Sequence, residues 1–448
     1  MEKELIGKKV WFLDDAGIRR EGVIIGVKQG GYKVDVKIDE DLTYRRKITE
    51  INFLEPEPIT KPKKKSRPKK KIDDRRMIES MRLGVVPYER VENFLYGREK
   101  EKSIINDWLK SEDAKILLVE GDYGTGKTHL LQYIIYKALC ESFATAWVEM
   151  DPNETPFHKP KLVYSGLMKR FSFLLDGDFK DFQEFVNFLK RKRLLVDNFY
   201  FKHLYRSSDE AYLDWITARE NVIRPLENDD GKYVQTFDPD IPPMFDYTNA
   251  TNIYTYLLSS FGWATLKIGL KGFLLVFDEA ETINIAHYYY RYLKGLNFLK
   301  ALLLVSTNND KLLNPLSAEK EFRLEFCKKG IAKSVPFLYK IPSGLKIVIA
   351  LTYIDNNLED LFSSIPSSYI KHIELKHLEK ESLKQVLKKV SELYESAYGL
   401  KTDSIDLFDV FKKLYNRGGM HTRLFIKGSI EIFDYVRLYG ADKLKSLI

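Results

Sequence analysis

The chain has 448 residues, 44% hydrophobic and 30% charged, with two cysteines and a net charge of +8 at pH 7. This length suits two or three domains better than one. No run reaches the ~18 apolar residues of a membrane span. Met1–Leu5 lack the apolar core of a secretory signal. Cys140 and Cys327 cannot build a disulfide framework or a four-cysteine zinc site. A reducing, cytoplasmic location without a membrane partner is therefore expected.

Residues 1–55 read as a small β-barrel. Short strand patterns at Val10–Phe12, Gly22–Val27, Tyr32–Ile38 and Tyr44–Ile48 are separated by turn signals, with Gly30-Gly31 as a hairpin turn. Tyr32–Ile38 alternates strictly, so one face should be buried. The unit loosely resembles Tudor and KOW barrels. Trp11, Tyr32 and Tyr44 could form an aromatic surface, although core packing is expected for at least two of them.

Residues 56–74 form a basic, Pro/Lys-rich linker. Eight of the eleven residues from Lys61 to Lys71 are basic and none is acidic; without them the chain balances at 64 charges of each sign. Pro56, Pro58, Pro62 and Pro68 disfavour regular structure. Lys63, Lys64, Lys65, Arg67, Lys69, Lys70 and Lys71 are the candidates for contacting DNA phosphates. The plainer reading is a solvated spacer. A helix pattern then runs from Arg75 until Gly84 and Pro87 stop it, and Leu95-Tyr96-Gly97-Arg98-Glu99 opens another, Glu99–Lys110.

The most specific signal follows. An apolar strand, Ile116–Val119, leads into Gly121-Asp122-Tyr123-Gly124-Thr125-Gly126-Lys127-Thr128 and then His129, the strand–loop–helix signature of a phosphate-binding P-loop. Glycines let main-chain N–H groups wrap an anion, and the helix starting near Lys127 adds its positive dipole end. Lys127 is expected to meet the β- and γ-phosphates of ATP, and Thr128 to offer its hydroxyl to Mg²⁺. Thr128–Cys140 carries an apolar stripe of Leu130, Leu131, Ile134 and Ile135. Phe143–Met150 is the next strand. Residues 160–262 read as a largely helical insertion, with Glu227–Pro243 as loop.

Gly272–Phe277 reads as a strand buried on both faces, placing Asp278 at its carboxyl end, where parallel sheets hold ligands. Asp278 is the expected metal partner. Glu279 is the candidate for polarising an attacking water. A helix is expected from Ile285 to Leu303. Gly344–Thr352 is a further buried strand ending in a hydroxyl, and Thr352 is preferred over Thr307 and Asn308 as the group that meets the γ-phosphate. Lys380–Tyr398, Ile405–Tyr415 and Thr422–Leu438 are helical, with Gly418-Gly419 breaking the chain before Arg423. Catalytic roles thus fall on Lys127, Glu279, Thr352 and Arg423.

From about residue 75 to 440 the chain resembles the BREX-type ATP-binding proteins, a clade of AAA+ ATPases. The resemblance rests on R-R-M-I-E-S-M-R-L-G-V-V-P at 75–87, Y-G-R-E at 96–99 and G-D-Y-G-T-G-K-T-H at 121–129. It continues with G-L-K-G-F-L-L-V-F-D-E-A-E at 269–281, L-Y-E-S-A-Y-G at 393–399 and H-T-R at 421–423. It implies an α/β fold: a P-loop AAA+ αβα sandwich spanning 75–370, with a helical lid over 371–448. It also implies that Gly97 and Arg98 cup the adenine, that Glu281 is a second acid near the site, and that Arg423 is a lid arginine. An arginine finger from a neighbouring copy implies a homo-oligomer, with Arg291 and Arg323 as candidates. The expected activity is Mg²⁺-dependent ATP hydrolysis coupled to switching or assembly on DNA, beside a helicase or nuclease partner. A loader subunit for such an enzyme would share this chemistry. The alternative is a STAND-like switch that hydrolyses slowly and recruits a protein.

Overall fold

The computed structural model describes residues 5–6, 9–14, 19–28, 33–39, 42–47, 50–53, 70–83, 91–92, 94–206, 210–220, 223–227, 233–237, 240–244, 249–286, 288–315, 335–354, 356–400, 405–416 and 421–446. Two units are distinguished: Met1–Thr60 with Glu184–Leu194, and the remainder.

In the first unit, β1 (Lys9–Leu13), β2 (Arg19–Lys28), β3 (Lys33–Asp39), β4 (Leu42–Lys47) and β5 (Asn52–Phe53) form an antiparallel sheet ordered β4-β3-β2-β1-β5. Alternation puts Val34 and Val36 of β3 into a small core with Val10, Phe12 and Ile24. Phe12 meets Tyr44 at 5.3 Å, and Arg46 lies over both rings. Instead of the expected closed barrel, the described pairings leave the sheet open. Among the described residues β5 pairs Asn52 and Phe53 with β1 and has no pairing with β4. Tyr32 and Gly30-Gly31 lie outside the described residues.

The second unit begins with α1 (Lys70–Arg82), so the last residues of the expected linker are helical. It continues through α2 (Glu99–Lys110), β6 (Ile116–Glu120), α3 (Lys127–Cys140), β7 (Phe143–Glu149) and α4 (Pro160–Lys169). The hairpin β8 (Phe173–Leu175) and β9 (Asp178–Lys180) precedes α5 (Phe182–Arg191), whose residues from Glu184 belong to the first unit, and α6 (Glu210–Ile216). A second hairpin pairs β10 (Ile223–Glu227), in the stretch expected to be helical, with β11 (Tyr233–Phe237), where loop was expected. Then come α7 (Ala250–Lys267), β12 (Gly272–Asp278), α8 (Tyr289–Ser306), β13 (Leu345–Leu351), α9 (Asn356–Ser363) and β14 (Ile370–Glu374). Last are α10 (Lys380–Tyr398), α11 (Leu407–Asn416) and α12 (Thr422–Tyr439).

The central sheet runs β14-β6-β13-β12-β7, with every pairing parallel. Period two sorts its side chains. Leu117, Val119, Leu274, Val276, Val348 and Ala350 face Trp108, Leu130 and Ile134 of α2 and α3. α7 and α8 pack on β12 and β13 as well. Each fully buried aliphatic side chain contributes roughly 1.5–3 kcal/mol, so the apolar residues Phe273–Phe277 of β12 and Ile347–Leu351 of β13 hold the sheet together.

One lysine stands among them. Lys346 of β13 is 5% exposed, and its ammonium donates to the carbonyls of Trp108, Ser111 and Ala114 at 2.8, 2.8 and 2.7 Å. These carbonyls end α2 and its following turn, where helical partners run out and positive charge is favoured. Lys346→Met should therefore cost about 2–4 kcal/mol, because the Ser111 and Ala114 carbonyls lose the ammonium while the Trp108 carbonyl keeps the Ser111 N–H. The urea midpoint reads this directly; a wild-type midpoint would show the carbonyls to be satisfied otherwise.

The C-terminal helices form a separate bundle that α1 joins. Met77, Ile78 and Met81 pack with Leu383, Val386, Val390, Phe425 and Phe433. Arg75 Nε donates to the Ala397 carbonyl at 2.8 Å, Tyr398 Oη donates to Glu79 at 2.6 Å, and Arg82 pairs with Asp434. The helix expected to lead into the core is thus fastened to the C-terminal helices.

Candidate functional site

The carboxyl ends of β6, β13 and β12 lie side by side, and the loops leaving them meet. Register pairs Glu120 with Leu351 and Asp278 with Glu149. Because β13 separates β6 from β12, the residue after β13 falls between the 121–128 loop and Asp278.

The loop turns sharply at its glycines. Gly126 has φ +97°, a left-handed conformation that sets the first turn of α3. Leu130 N donates to the Gly126 carbonyl. The amides of Lys127, Thr128 and His129 therefore precede any helical acceptor and are available to an anion. At Gly124 a side chain would meet the His421 ring, whose Nδ1 would lie 2.5 Å from the added carbon. This close approach is why that position carries no Cβ.

Lys127 is 9% exposed, and its Nζ donates to the carbonyls of Gly121 (2.6 Å) and Asp122 (3.3 Å) and to Thr352 Oγ1 (3.3 Å). Thr128 Oγ1 donates to Asp278 Oδ2 at 2.8 Å. Thr352 Oγ1 in turn hydrogen-bonds Glu281. Burial raises the Asp278 pKa, opposed by the Thr128 hydrogen bond. Burial, then the charges of Asp278, Glu149 and Glu281, raise that of Glu279. Glu279 also adopts a left-handed backbone, φ 53°, at the start of a 3-10 turn, Ala280–Ile285. A non-glycine residue held there stores strain of the kind that concentrates at working sites.

The structure thus brings Gly121, Gly124, Gly126, Lys127, Thr128, Asp278, Glu279, Glu281 and Thr352 into one region. Asp122 and Tyr123 are exposed on the loop, while Thr125 is buried, its hydroxyl donating to the Asp122 carbonyl at 2.7 Å. Thr307 and Asn308 are elsewhere: α8 continues to Ser306, the Thr307 hydroxyl donates to Leu304 O, and Asn308 Oδ1 accepts from Ser343 N.

Other expected residues stand differently. Arg98 is buried and donates to the carbonyls of Thr125 (2.8 Å) and Lys376 (2.6 Å), with Glu101 at 3.0 Å. It braces the underside of the loop, and both its Nη groups are engaged by protein groups. Gly97 has φ +64° and abuts Ser382. His129 is half-buried with its Nε2 enclosed and unpartnered, and burial pushes its pKa down to about 4. Arg423 is exposed, its guanidinium 3.4 Å from the Leu83 carbonyl, and is not brought to the loop. Arg291 lies over the rings of Tyr288 and Tyr290. Arg323 and Lys63, Lys64, Lys65, Arg67 and Lys69 lie outside the described residues, and Lys70 and Lys71 open α1.

The chain's unforeseen contributor is His421, which precedes α12 and touches Gly124. Its ring also meets His377 edge-on at 5.4 Å. The H-T-R string marks its place, but only the packing of the C-terminal helices reveals the contact. Glu149 was likewise missed; its position at a strand end beside the Asp278 strand was the available signal.

Among the described residues no helix is long and apolar enough to cross a membrane. Nor do any three His, Cys, Asp or Glu side chains cluster closely enough to cage a metal. No curated protein matches the chain significantly. Among solved structures it is similar to a DNA replication initiation factor, at 12% identity and TM-score 0.35 over 80% of this chain and 66% of that one. It is also similar to AMPPCP-bound DnaA from Aquifex aeolicus, at 12% identity and TM-score 0.33 over 79% of this chain and 67% of that one. The chain spans just under two thirds of the first of these, and both scores lie below the level that establishes a shared fold. Residues 69–181, about a quarter of the chain and including the whole 121–128 loop, match the model of the family described as BREX system ATP-binding protein BrxC/D.

Proposed function

We propose that this chain is a P-loop AAA+ ATPase that turns Mg²⁺-dependent ATP hydrolysis into movement of its C-terminal helical lid. We further propose that the lid acts on DNA through the basic segment 61–71. The observation that carries the reading is the 2.8 Å hydrogen bond from Thr128 to Asp278, with the Lys127 ammonium beside it at the carboxyl edge of a parallel sheet.

The donor set suits a magnesium nucleotide. Mg²⁺ takes oxygen ligands and is commonly held by one or two carboxylates together with substrate phosphates, not by an all-protein cage. Thr128 and Asp278 would hold it, and when bound it would neutralise charge on the β- and γ-phosphate oxygens. Lys127 would exchange the carbonyls of Gly121 and Asp122 for phosphate oxygens. Glu279, made more basic by burial and by neighbouring acids, orients the attacking water and takes its proton. Thr352, between Lys127 and Glu281, hydrogen-bonds the γ-phosphate or that water. His421 rests on Gly124, so filling the loop bears on the lid. Arg423 closes onto the phosphate as the lid moves. α1 moves with the lid because Arg75, Glu79 and Arg82 are fastened to it, and α1 continues directly from the basic segment.

An arginine from a neighbouring copy, Arg291 or Arg323, would complete the site in a homo-oligomer, with a helicase or nuclease as the further partner. The domains are proposed as 1–55, a small antiparallel β-sheet module; 56–74, linker; 75–370, core; and 371–448, lid. The site reading is tested by Asp278→Asn. Calorimetric titration should show that Mg²⁺ no longer strengthens ATP binding, while metal-free binding persists. Unchanged Mg²⁺ enhancement would remove Asp278 from the metal.

A further inference from the structure

A second surface lies beyond the 3-10 turn that follows Glu279. Tyr288, Tyr289 and Tyr290 at the start of α8 are 58%, 75% and 55% exposed. Three consecutive tyrosines left in water are unusual, since single exposed aromatics are the ordinary case. Their rings are ordered among themselves. Tyr288 and Tyr290 lie 6.0 Å apart at 30°, and Tyr289 lies 6.4 Å from Tyr292 at the same angle. The Arg291 guanidinium is 5.0 Å from the centre of the Tyr288 ring and 5.9 Å from that of Tyr290. Its Nε reaches the Tyr290 hydroxyl at 3.2 Å, and among the described residues no carboxylate pairs with it.

Beside this platform is a cavity of about 30 Å³, lined by Pro156, His158, Thr282, Ile285 and Arg291 among others. That is room for a couple of water-sized groups. Positive charge converges there: burial, then Arg291, Lys159 and Lys294, push the His158 pKa down to about 4. Thr282 Oγ1, in the cavity wall, is buried without a hydrogen-bond partner, as are both polar atoms of nearby Asn284.

We infer that Tyr288–Arg291 and the adjoining cationic cleft bind single-stranded nucleic acid, with bases stacked on the tyrosines and backbone phosphate directed to Arg291, Lys159 and Lys294. Open aromatic faces beside cations suit unstacked bases on a polyanion, and stacking on such faces is indifferent to sequence. A two-fold contact pairing this face with its copy would bring like charges together at the same cleft. Duplex DNA, with its bases already stacked, offers the tyrosines nothing. This gives Arg291 a ligand other than a neighbour's γ-phosphate. The binding claim does not depend on ATP hydrolysis. The six residues Ala280–Ile285 join this surface to Glu279, so a bound strand would bear on the proposed catalytic loop.

The test is fluorescence anisotropy of a labelled oligo(dT) strand with the full chain and no nucleotide, so that failure of the ATPase reading cannot affect it. A variant carrying Tyr289→Ala and Tyr290→Ala should bind the strand about tenfold or more weakly. Binding to a duplex should change less than about twofold, since phosphate contacts alone remain there. The paired Tyr289→Phe, Tyr290→Phe variant keeps both rings and should retain wild-type affinity. Undiminished strand binding by the alanine variant, or an equal loss on duplex, would overturn the inference. So would a change of oligomeric mass with strand affinity intact, which would make this face a contact between copies.

Discussion

Glu279→Gln should lower kcat for ATP hydrolysis by about 10²–10⁴, the range contributed by a positioned general base, while leaving ATP affinity nearly unchanged. Glutamine fills the same space and accepts a hydrogen bond, but it cannot take a proton from water. The same residue predicts a pH effect. Its carboxyl pKa is raised above 4.5 by burial and by Asp278, Glu149 and Glu281. The base works only when ionised, so activity should fall on acidification at a pH above the ordinary glutamate range, and the glutamine variant should lack that limb. A kcat profile from pH 4 to 8 for both proteins would show it. Full activity in the glutamine variant would assign the water to another group, Glu281 being the nearest candidate.

Deleting residues 61–71 should flatten the salt dependence of DNA binding. Eight basic residues there account for the entire net charge of +8. If each neutralised one phosphate, the slope of log affinity against log salt would approach ~7; half engagement gives roughly 3–4. The deletion should reduce the slope by that amount and weaken binding most at low salt. The segment continues into α1, whose Arg75 and Arg82 are tied to the C-terminal helices proposed to move, so wild-type affinity should also differ between nucleotide states. The deletion variant should lose that difference. A slope equal to wild type would return the segment to the role of spacer.

Much of the frame is legible in the residues themselves. Gly272–Phe277 and Ile347–Leu351 are apolar on both faces, as a strand covered by two helical layers requires, and both lie at the centre of the sheet. Leu302–Val305 has a similar composition but continues the helical period of Phe298 and Leu299, so it ends α8. Tyr233–Phe237 pairs with Ile223–Glu227 across residues 228–232, yet Pro225 and the flanking Pro242-Pro243 argue for loop on local grounds. Pairing partners outvote propensity there. The apolar face of α1 is equally plain in Met77, Ile78 and Met81, but nothing local says that its partners lie some three hundred residues away. Arg98 shows the same limit. A G-R-E turn before a P-loop suggests a nucleotide contact, whereas the carbonyls of Thr125 and Lys376 take up its donors only once the chain has folded. His421 over Gly124 likewise belongs to tertiary packing and to no motif.

The central claim is that the 121–128 loop and the Asp278–Glu279 pair form one phosphate-handling site. Steady-state release of inorganic phosphate from MgATP, wild type beside Lys127→Ala, tests it most directly. The account predicts Mg²⁺-dependent turnover by the wild type and none above background by the variant, whose fold should survive because Lys127 sits at a helix start and its donors go to loop carbonyls and Thr352. Equal turnover by the two proteins would contradict it.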